Sequence, residues 1–335
     1  MSSLYITEQG ASISVGGGKF FIDCKNGLRR EIPEETVDSI VVFGNVQVTY
    51  GAQKKILEKG ISMSFLSTRG RYFGRLHSTS HPGSERIKRQ VYMSDNGEQR
   101  IQFARKTLRA KIHNQIVLLR RYLRNSEEAR LDDELLHMSM CEKKIESSCT
   151  IEEIMGHEGM AARYYFKGLS KLVDEEFRFS GRSKRPPKDP FNALLSLGYT
   201  IIFYEIYAEL ENQNVHPYIS FVHSLKEHHP AMVSDLLEEW RAVIVDSTVM
   251  SLIQGHEIKA DMFSTDEDNG AVIISNQGVR ILVRKLEQKM GSRVNYLEYL
   301  DHPTSFRKGI WWQVRMLANG IDHGNLSVYC PVRIR

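Results

Sequence analysis

Two acids three residues apart are the first place to look for chemistry. Asp235 and Glu238 lie in the stretch from Ala231 to about Gln254, which has helical spacing and follows Pro230, a residue favoured where helices begin. A spacing of three puts both carboxylates on one helix face. Like charges that close repel, and a cation shared between them removes the repulsion. Upstream, His223 follows the apolar run Tyr218-Ile219-Ser220-Phe221-Val222. Glu158 sits in Gly156-His157-Glu158-Gly159-Met160-Ala161-Ala162-Arg163-Tyr164-Tyr165, where small residues around an acid point to a constrained position. Each residue also has an ordinary reading. The two acids can be a solvated stripe opposite core contacts from Leu236, Leu237, Trp240, Val243 and Ile244. His223 can be a satisfied structural histidine, and Tyr164 and Tyr165 can be core. The adjacent pair His228-His229 diverges on any helix, so we read it as surface rather than as a metal site.

Basic residues cluster elsewhere. Between Arg86 and Asn125 there are eleven Lys or Arg (Arg86, Lys88, Arg89, Arg100, Arg105, Lys106, Arg109, Lys111, Arg120, Arg121 and Arg124) against only Asp95 and Glu98. Such a helix suits a phosphate backbone, because each neutralised phosphate releases counterions. A solvated or salt-bridged face is the alternative. A second basic stretch, Arg182 to Lys188 with Pro186-Pro187, precedes an apolar run from Phe191 to Tyr199. It can touch phosphate or act as a rigid connector.

The elements that must position these residues divide the chain in two. Ser12–Val15 and Lys19–Ile22 flank Gly16-Gly17-Gly18 as a hairpin, with Leu4–Thr7 as an earlier strand. Val37–Phe43 and Asn45–Thr49 are strand-like runs broken at Gly44, and Ala52–Lys59 is a short helix ended by Gly60. Ile61–Leu66 and Arg71–Leu76 complete the strands. From Ile101, apolar residues at 104, 108, 112, 116, 119 and 123 mark a long amphipathic helix, and helical spacing continues through most of the rest. We therefore expect an α+β protein: a β domain over 1–82, a linker over 83–99, and an α-helical domain over 100–335.

Composition bounds the function classes. The chain has 335 residues, 41% hydrophobic and 26% charged, with a formal net charge of +4. That is ordinary for a globular protein with a sizeable core, and argues against disorder. The four cysteines, Cys24, Cys141, Cys149 and Cys330, are scattered without a C-x-x-C pair, which disfavours a structural zinc site and a disulfide scaffold. The first residues show no basic-then-apolar leader. The most apolar stretch, Leu194–Ala208, is broken by Glu205 and is short for a bilayer. We expect a soluble, cytoplasmic protein with no membrane partner.

Taken in order, these stretches resemble one family over nearly the whole chain: CRISPR-associated protein one, the spacer-acquisition endonuclease and integrase. The resemblance rests on Ile40–Thr49, Gly60–Leu76, the Glu158 glycine segment, Arg185–Tyr199, and Phe221-Val222-His223 followed by Asp235-x-x-Glu238. It implies metal ligands at Glu158, His223 and Glu238, with Asp235 as a supporting acid of the catalytic set and Arg241 as a basic residue one turn on. Ser220 stands where many members have glycine, and Glu238 where some have aspartate. Manganese or magnesium (Mn2+ or Mg2+) suits two carboxylates and an imidazole better than catalytic zinc does.

The same resemblance implies insertion of short foreign DNA into a CRISPR array by phosphodiester transesterification. It implies double-stranded and branched DNA as substrates and the smaller adaptation protein, itself a dimer, as partner. It also implies homodimers formed through the β domain, two per integration complex. Arg105, Arg109, Arg163, Arg182, Lys184, Arg185, Lys188 and Arg241 are the expected DNA contacts, with Arg307 and Lys308 as further candidates. The competing readings are a DNA-holding scaffold with structural acids, and a metal-dependent nuclease acting on branched repair intermediates.

Overall fold

A computed structural model describes every residue except Met1, Arg69, Arg71, His77, 79–82, Glu127, Glu128, Glu298, Tyr299, Asp301 and Arg335. The start of the expected strand at Arg71 and the end of the expected 1–82 domain fall on residues outside those described.

The N-terminal part is two four-stranded sheets packed face to face. One sheet has the order β4 (Arg29–Pro33), β3 (Lys19–Asp23), β2 (Ala11–Gly16), β6 (Val46–Val48). The other has β1 (Ser2–Ile6), β5 (Val37–Phe43), β7 (Ser62–Leu66), β8 (Tyr72–Leu76). The hairpin between β2 and β3 turns at Gly17 and Gly18, both with positive φ. At Gly44 (φ +75°) the chain leaves the second sheet at β5 and enters the first at β6. The period-two alternation of strands then sets the packing. Ile40 and Val42 of β5 face the sheet-on-sheet core, while Val41 and Phe43 face the helices. Helix α1 (Tyr50–Glu58) is capped by Thr49 and closes the sandwich through Ala52 and Ile56.

The rest is mostly helical. Helix α2 (Ser84–Ser94) occupies most of the segment expected as a linker. It is no free connector: buried Gln90 donates to the carbonyls of His216 and Ile219, and Arg86 pairs with Asp322. Helix α3 (Gly97–Leu123) is capped by Asn96 and runs 27 residues through the core. Around it pack α4 (Asp132–Ser147), α5 (Ile151–Ser170) and α7 (Ala231–Trp240). Helix α6 (Pro190–Asn212) lies between α5 and α7 in the chain, with Asp189 as cap and Pro190 in its first turn.

Sequence spacing read one helix over 231–254. The structure interrupts it with a π-helical turn at Arg241–Asp246 before α8 (Ser247–Gln254) resumes. Helices α9 (Asn276–Gly291) and α10 (Phe306–Asp322) complete the set. Two small hairpins, β9 (Phe263–Thr265) with β10 (Val272–Ile274) and β11 (Arg293–Val294) with β12 (Thr304–Ser305), interrupt this mostly helical region. Helix α6 extends past the apolar stretch Leu194–Ala208 at both ends, and at 23 residues it is long and apolar enough to cross a bilayer by length and composition alone. Its apolarity belongs to the core, where Phe191, Leu194, Leu195, Ile202, Ile206 and Leu210 are fully buried.

Candidate metal and phosphodiester-transfer site

Four elements converge on one cluster. Glu158 comes from α5, Asp235 and Glu238 from α7, Lys111 from α3, and His223 from the loop before α7.

Asp235 is completely buried and its two oxygens are fully used. They accept from the backbone N–H groups of Phe221 (2.9 Å), Val222 (3.0 Å) and His223 (3.1 Å) and from the Ser220 hydroxyl (2.7 Å). His223 Nδ1 lies 2.7 Å from Asp235 Oδ1. A carboxylate accepts the ring proton at Nδ1, which leaves Nε2 as the free lone-pair nitrogen. Ser220 thus supplies one of the bonds that hold the loop. Asp235 is taken up by the 220–223 loop, in keeping with a supporting acid, and leaves Glu238 to meet a cation without it. Asp235 looks away from Glu238 into the loop and positions His223.

The cation is shared by Glu238 and Glu158 instead. Lys111 Nζ lies 2.5 Å from Glu158 Oε1 and 2.5 Å from Glu238 Oε2. Arg241 Nε adds a bond to Glu238 Oε2 at 3.1 Å, and His223 Nε2 is 3.9 Å from Glu238 Oε1. Burial alone would raise the Glu238 pKa. The charges of Arg241 and Lys111, joined by His223 whenever its ring is protonated, outweigh it and hold this carboxyl below the usual range. Burial works against the Lys111 charge, but Glu158 and Glu238 raise its pKa above the ordinary value. Burial likewise works against the His223 charge, and the bond to Asp235 with its negative charge raises it.

As the side chains stand, no three His, Cys, Asp or Glu among the described residues are gathered tightly enough to enclose a metal ion. The gap between the two carboxylates is filled by an ammonium. That ammonium is a stand-in cation: two carboxylates have converged on one positive centre, with an imidazole nitrogen facing the same carboxylate. The donor types suit a hard divalent ion.

The π-helical turn places a second network behind the cluster. Buried Asp246 accepts from the hydroxyls of Tyr165 (2.5 Å) and Tyr199 (2.6 Å). The Arg241 guanidinium lies over the Tyr199 ring at 4.6 Å and that of Arg182 at 5.4 Å. Burial pushes the Asp246 carboxyl up to about 6, against the two tyrosine bonds and both arginines. Tyr165 is therefore core, and Tyr164 stacks on His137. Sequence reasoning passed over Asp246 and counted Lys111 only as one of eleven basic residues. A signal for Lys111 existed: it lies beside Ile112 on the apolar stripe of α3, where a lysine needs a buried acid.

The expected DNA contacts separate into two groups. Arg163, Lys184, Arg185 and Lys188 are at least partly exposed, Lys188 bonding the Asn269 carbonyl. Others are engaged within the chain. Arg182 bonds Asn192 and Ser196, Arg105 bonds the Ser148 carbonyl at the end of α4, and Arg109 pairs with Glu146. Arg307 pairs with Glu205 and Glu287, and Lys308 lies over Trp311. His229 bonds Ser234 and does not join His228 around a common centre. All four cysteines are free. A cavity of about 810 Å³ lies between the second sheet and helices α6 and α10 and shares no lining residue with the cluster.

Residues 4–288 match the family model described as "CRISPR associated protein Cas1". The chain is 29% identical over 327 residues to a protein of Mycobacterium tuberculosis (strain CDC 1551 / Oshkosh) named CRISPR-associated endonuclease Cas1, covering 98% of this chain and 96% of that one. It is 30% identical to a like-named protein of Thermus thermophilus, over 99% and 97% of the two chains. Among solved structures, a casposase bound to integration product superposes with a TM-score of 0.86 at 21% identity, covering 98% and 93%. A chain of a Cas6-RT-Cas1–Cas2 complex gives 0.82 at 23% identity, with this chain spanning all of itself and 36% of that longer chain.

Proposed function

This chain belongs to the Cas1 family, and from that premise we propose that it is a divalent-metal-dependent DNA endonuclease and integrase that inserts short foreign DNA into a CRISPR array. The observation that carries the reading is the pair Glu158 and Glu238 drawn onto one cation, with His223 Nε2 turned toward Glu238 by Asp235. Glu158, Glu238 and His223 Nε2 would hold the ion, Mn2+ or Mg2+. Bound there, it supplies positive charge to offset the phosphorane-like transition state.

The chain's own residues do the rest. Asp235 fixes the imidazole tautomer and keeps Nε2 free. Arg241 keeps Glu238 an anion and holds its Oε2 in place. No side chain needs to become a covalent nucleophile. In joining, the 3′-hydroxyl of the incoming strand attacks phosphorus and the array strand's 3′-oxygen leaves; in cleavage, water takes the place of the hydroxyl. Arg163, Lys184 and Arg185 are suited to hold the phosphate backbone, with affinity falling as salt rises. The smaller adaptation protein, as a dimer, and a second copy of this chain paired through the β sandwich are the partners we propose. Relatives named as CRISPR-associated endonucleases and a fold shared with a Cas1–Cas2 complex chain support this reading.

The test is a labelled duplex with free 3′-hydroxyl ends, incubated with a branched or array-like target and Mn2+, with and without EDTA and the partner. EDTA-sensitive joined or nicked product is expected. Its absence under every partner condition would leave a DNA-holding scaffold.

A further inference from the structure

Lys111 is unusual among the basic residues of α3. Its side chain is about 10% exposed, its ammonium lies 2.5 Å from each of two carboxylates, and both belong to the proposed ligand set. A lysine in such a place must have a buried counter-charge, and here it has two. Conversely, Glu158 and Glu238 converge only because a cation separates them, since two bare carboxylates at that separation repel. A divalent ion held by the same oxygens at ordinary metal–oxygen distances of roughly 2.0–2.2 Å would fall on the ammonium. Both cations cannot occupy the spot.

We propose that Lys111 is a built-in counter-cation of the metal-free state: it keeps the two carboxylates assembled, and a divalent ion loads by displacing it. The inference rests on the metal reading of the site. The lysine stem has four rotatable carbons and the ammonium three donors, so the head can move without disturbing α3. A displaced ammonium stays near the cluster, where it can meet an anionic substrate arriving with the ion. Lys111 thus positions the ligands before loading, and gives up the site at a cost in metal affinity.

The experiment compares wild type with Lys111→Met, which keeps the stem and removes the charge. Free Mn2+ is followed by electron paramagnetic resonance, and the thermal midpoint is read in EDTA and in excess Mn2+. In EDTA the variant should unfold at lower temperature, because two buried carboxylates lose their counter-charge. Mn2+ should restore it, and should bind the variant roughly tenfold or more tightly than wild type, the scale of relieving one like-charge contact.

Mn2+ binding to wild type with equal or weaker binding to the variant would overturn the displacement. Binding to neither protein would bring down the metal reading, and the displacement with it. Should the variant not fold, amine acetylation of wild type read by mass spectrometry decides instead. Lys111 should react several-fold faster in Mn2+ than in EDTA, with Lys184 unchanged, and an unchanged Lys111 rate in protein that binds Mn2+ would refute displacement.

Discussion

Glu238 and Glu239 are neighbours in sequence and both are buried in α7, yet they behave as opposites. Burial raises the pKa of either. Around Glu238 stand Arg241, Lys111 and His223, and the charges of Arg241 and Lys111, joined by His223 whenever its ring is protonated, pull the carboxyl down. Around Glu239 stand neutral donors: the Val332 N–H at 2.7 Å, the Tyr329 hydroxyl at 2.7 Å and the Gln313 amide at 3.0 Å. These offset burial only in part, and the carboxyl is pushed up to about 7. Formal charge in the surroundings, not depth, decides whether a buried glutamate stays an anion. One side of α7 holds a carboxylate ready for a cation. The other uses a carboxyl to tie the C-terminal segment to the core.

The largest effect that sharpens this contrast is loss of chemistry. Glu158→Ala, His223→Ala and Glu238→Ala should each reduce joining and nicking of a labelled duplex to background, while circular dichroism shows the fold kept. Full activity in all three would remove the site assignment.

Next in size is Asp235→Asn. It keeps the volume but leaves one neutral carbonyl oxygen where two anionic oxygens serve five donors, so the amide NH2 competes with the His223 Nδ1 proton and Mn2+ affinity should fall roughly 10- to 100-fold. Unchanged affinity would mean the imidazole is oriented by something else.

The Glu239 side makes a stability prediction with a definite sign. Its folded pKa of about 7 lies above the ordinary 4.5, so the folded state holds the extra proton between those values. The contribution is full below about pH 4.5, declines as pH rises, and is gone above about pH 7. A shift of this size corresponds to at most roughly 3 kcal/mol. In Glu239→Gln the amide nitrogen can donate to the Tyr329 oxygen, so the fold should survive. Urea midpoints measured from pH 5 to 7.5 should show a flatter slope than wild type; an unchanged slope would show that another group titrates.

A smaller effect comes from Gly198 of α6, where an added Cβ would lie 2.5 Å from Val245 Cγ1 on the π-helical turn. Gly198→Ala should cost about 1–3 kcal/mol of stability in a denaturant melt. No loss would show that the turn can shift.

Much of the fold was legible because its signals are local. Gly17 and Gly18 turn the first hairpin, Gly44 breaks two strands, Gly60 ends α1, and the apolar spacing from Ile101 traces α3. The α+β class followed from those patterns. What was not legible depends on distant partners. The segment 84–94 reads as linker in sequence because the stability of its helix comes from Gln90 reaching His216 and Ile219 and from Arg86 reaching Asp322, more than a hundred residues away. The π-helical turn leaves no periodic trace in Arg241–Asp246; its Asp246 is held by Tyr165 and Tyr199 from two other helices. Within the site, the D-x-x-E spacing left a shared cation and a solvated stripe both open. Spacing on one helix cannot show that Asp235 is consumed by a loop, nor that Glu238 meets an acid eighty residues earlier across Lys111.

The most direct test sets the two neighbouring glutamates against each other in a Mn2+ titration of Glu238→Gln and Glu239→Gln. We expect one tight Mn2+ per chain in wild type and in Glu239→Gln, and none in folded Glu238→Gln. Tight Mn2+ binding retained by Glu238→Gln, or lost equally from both folded variants, would contradict a divalent-ion site at Glu158, His223 and Glu238.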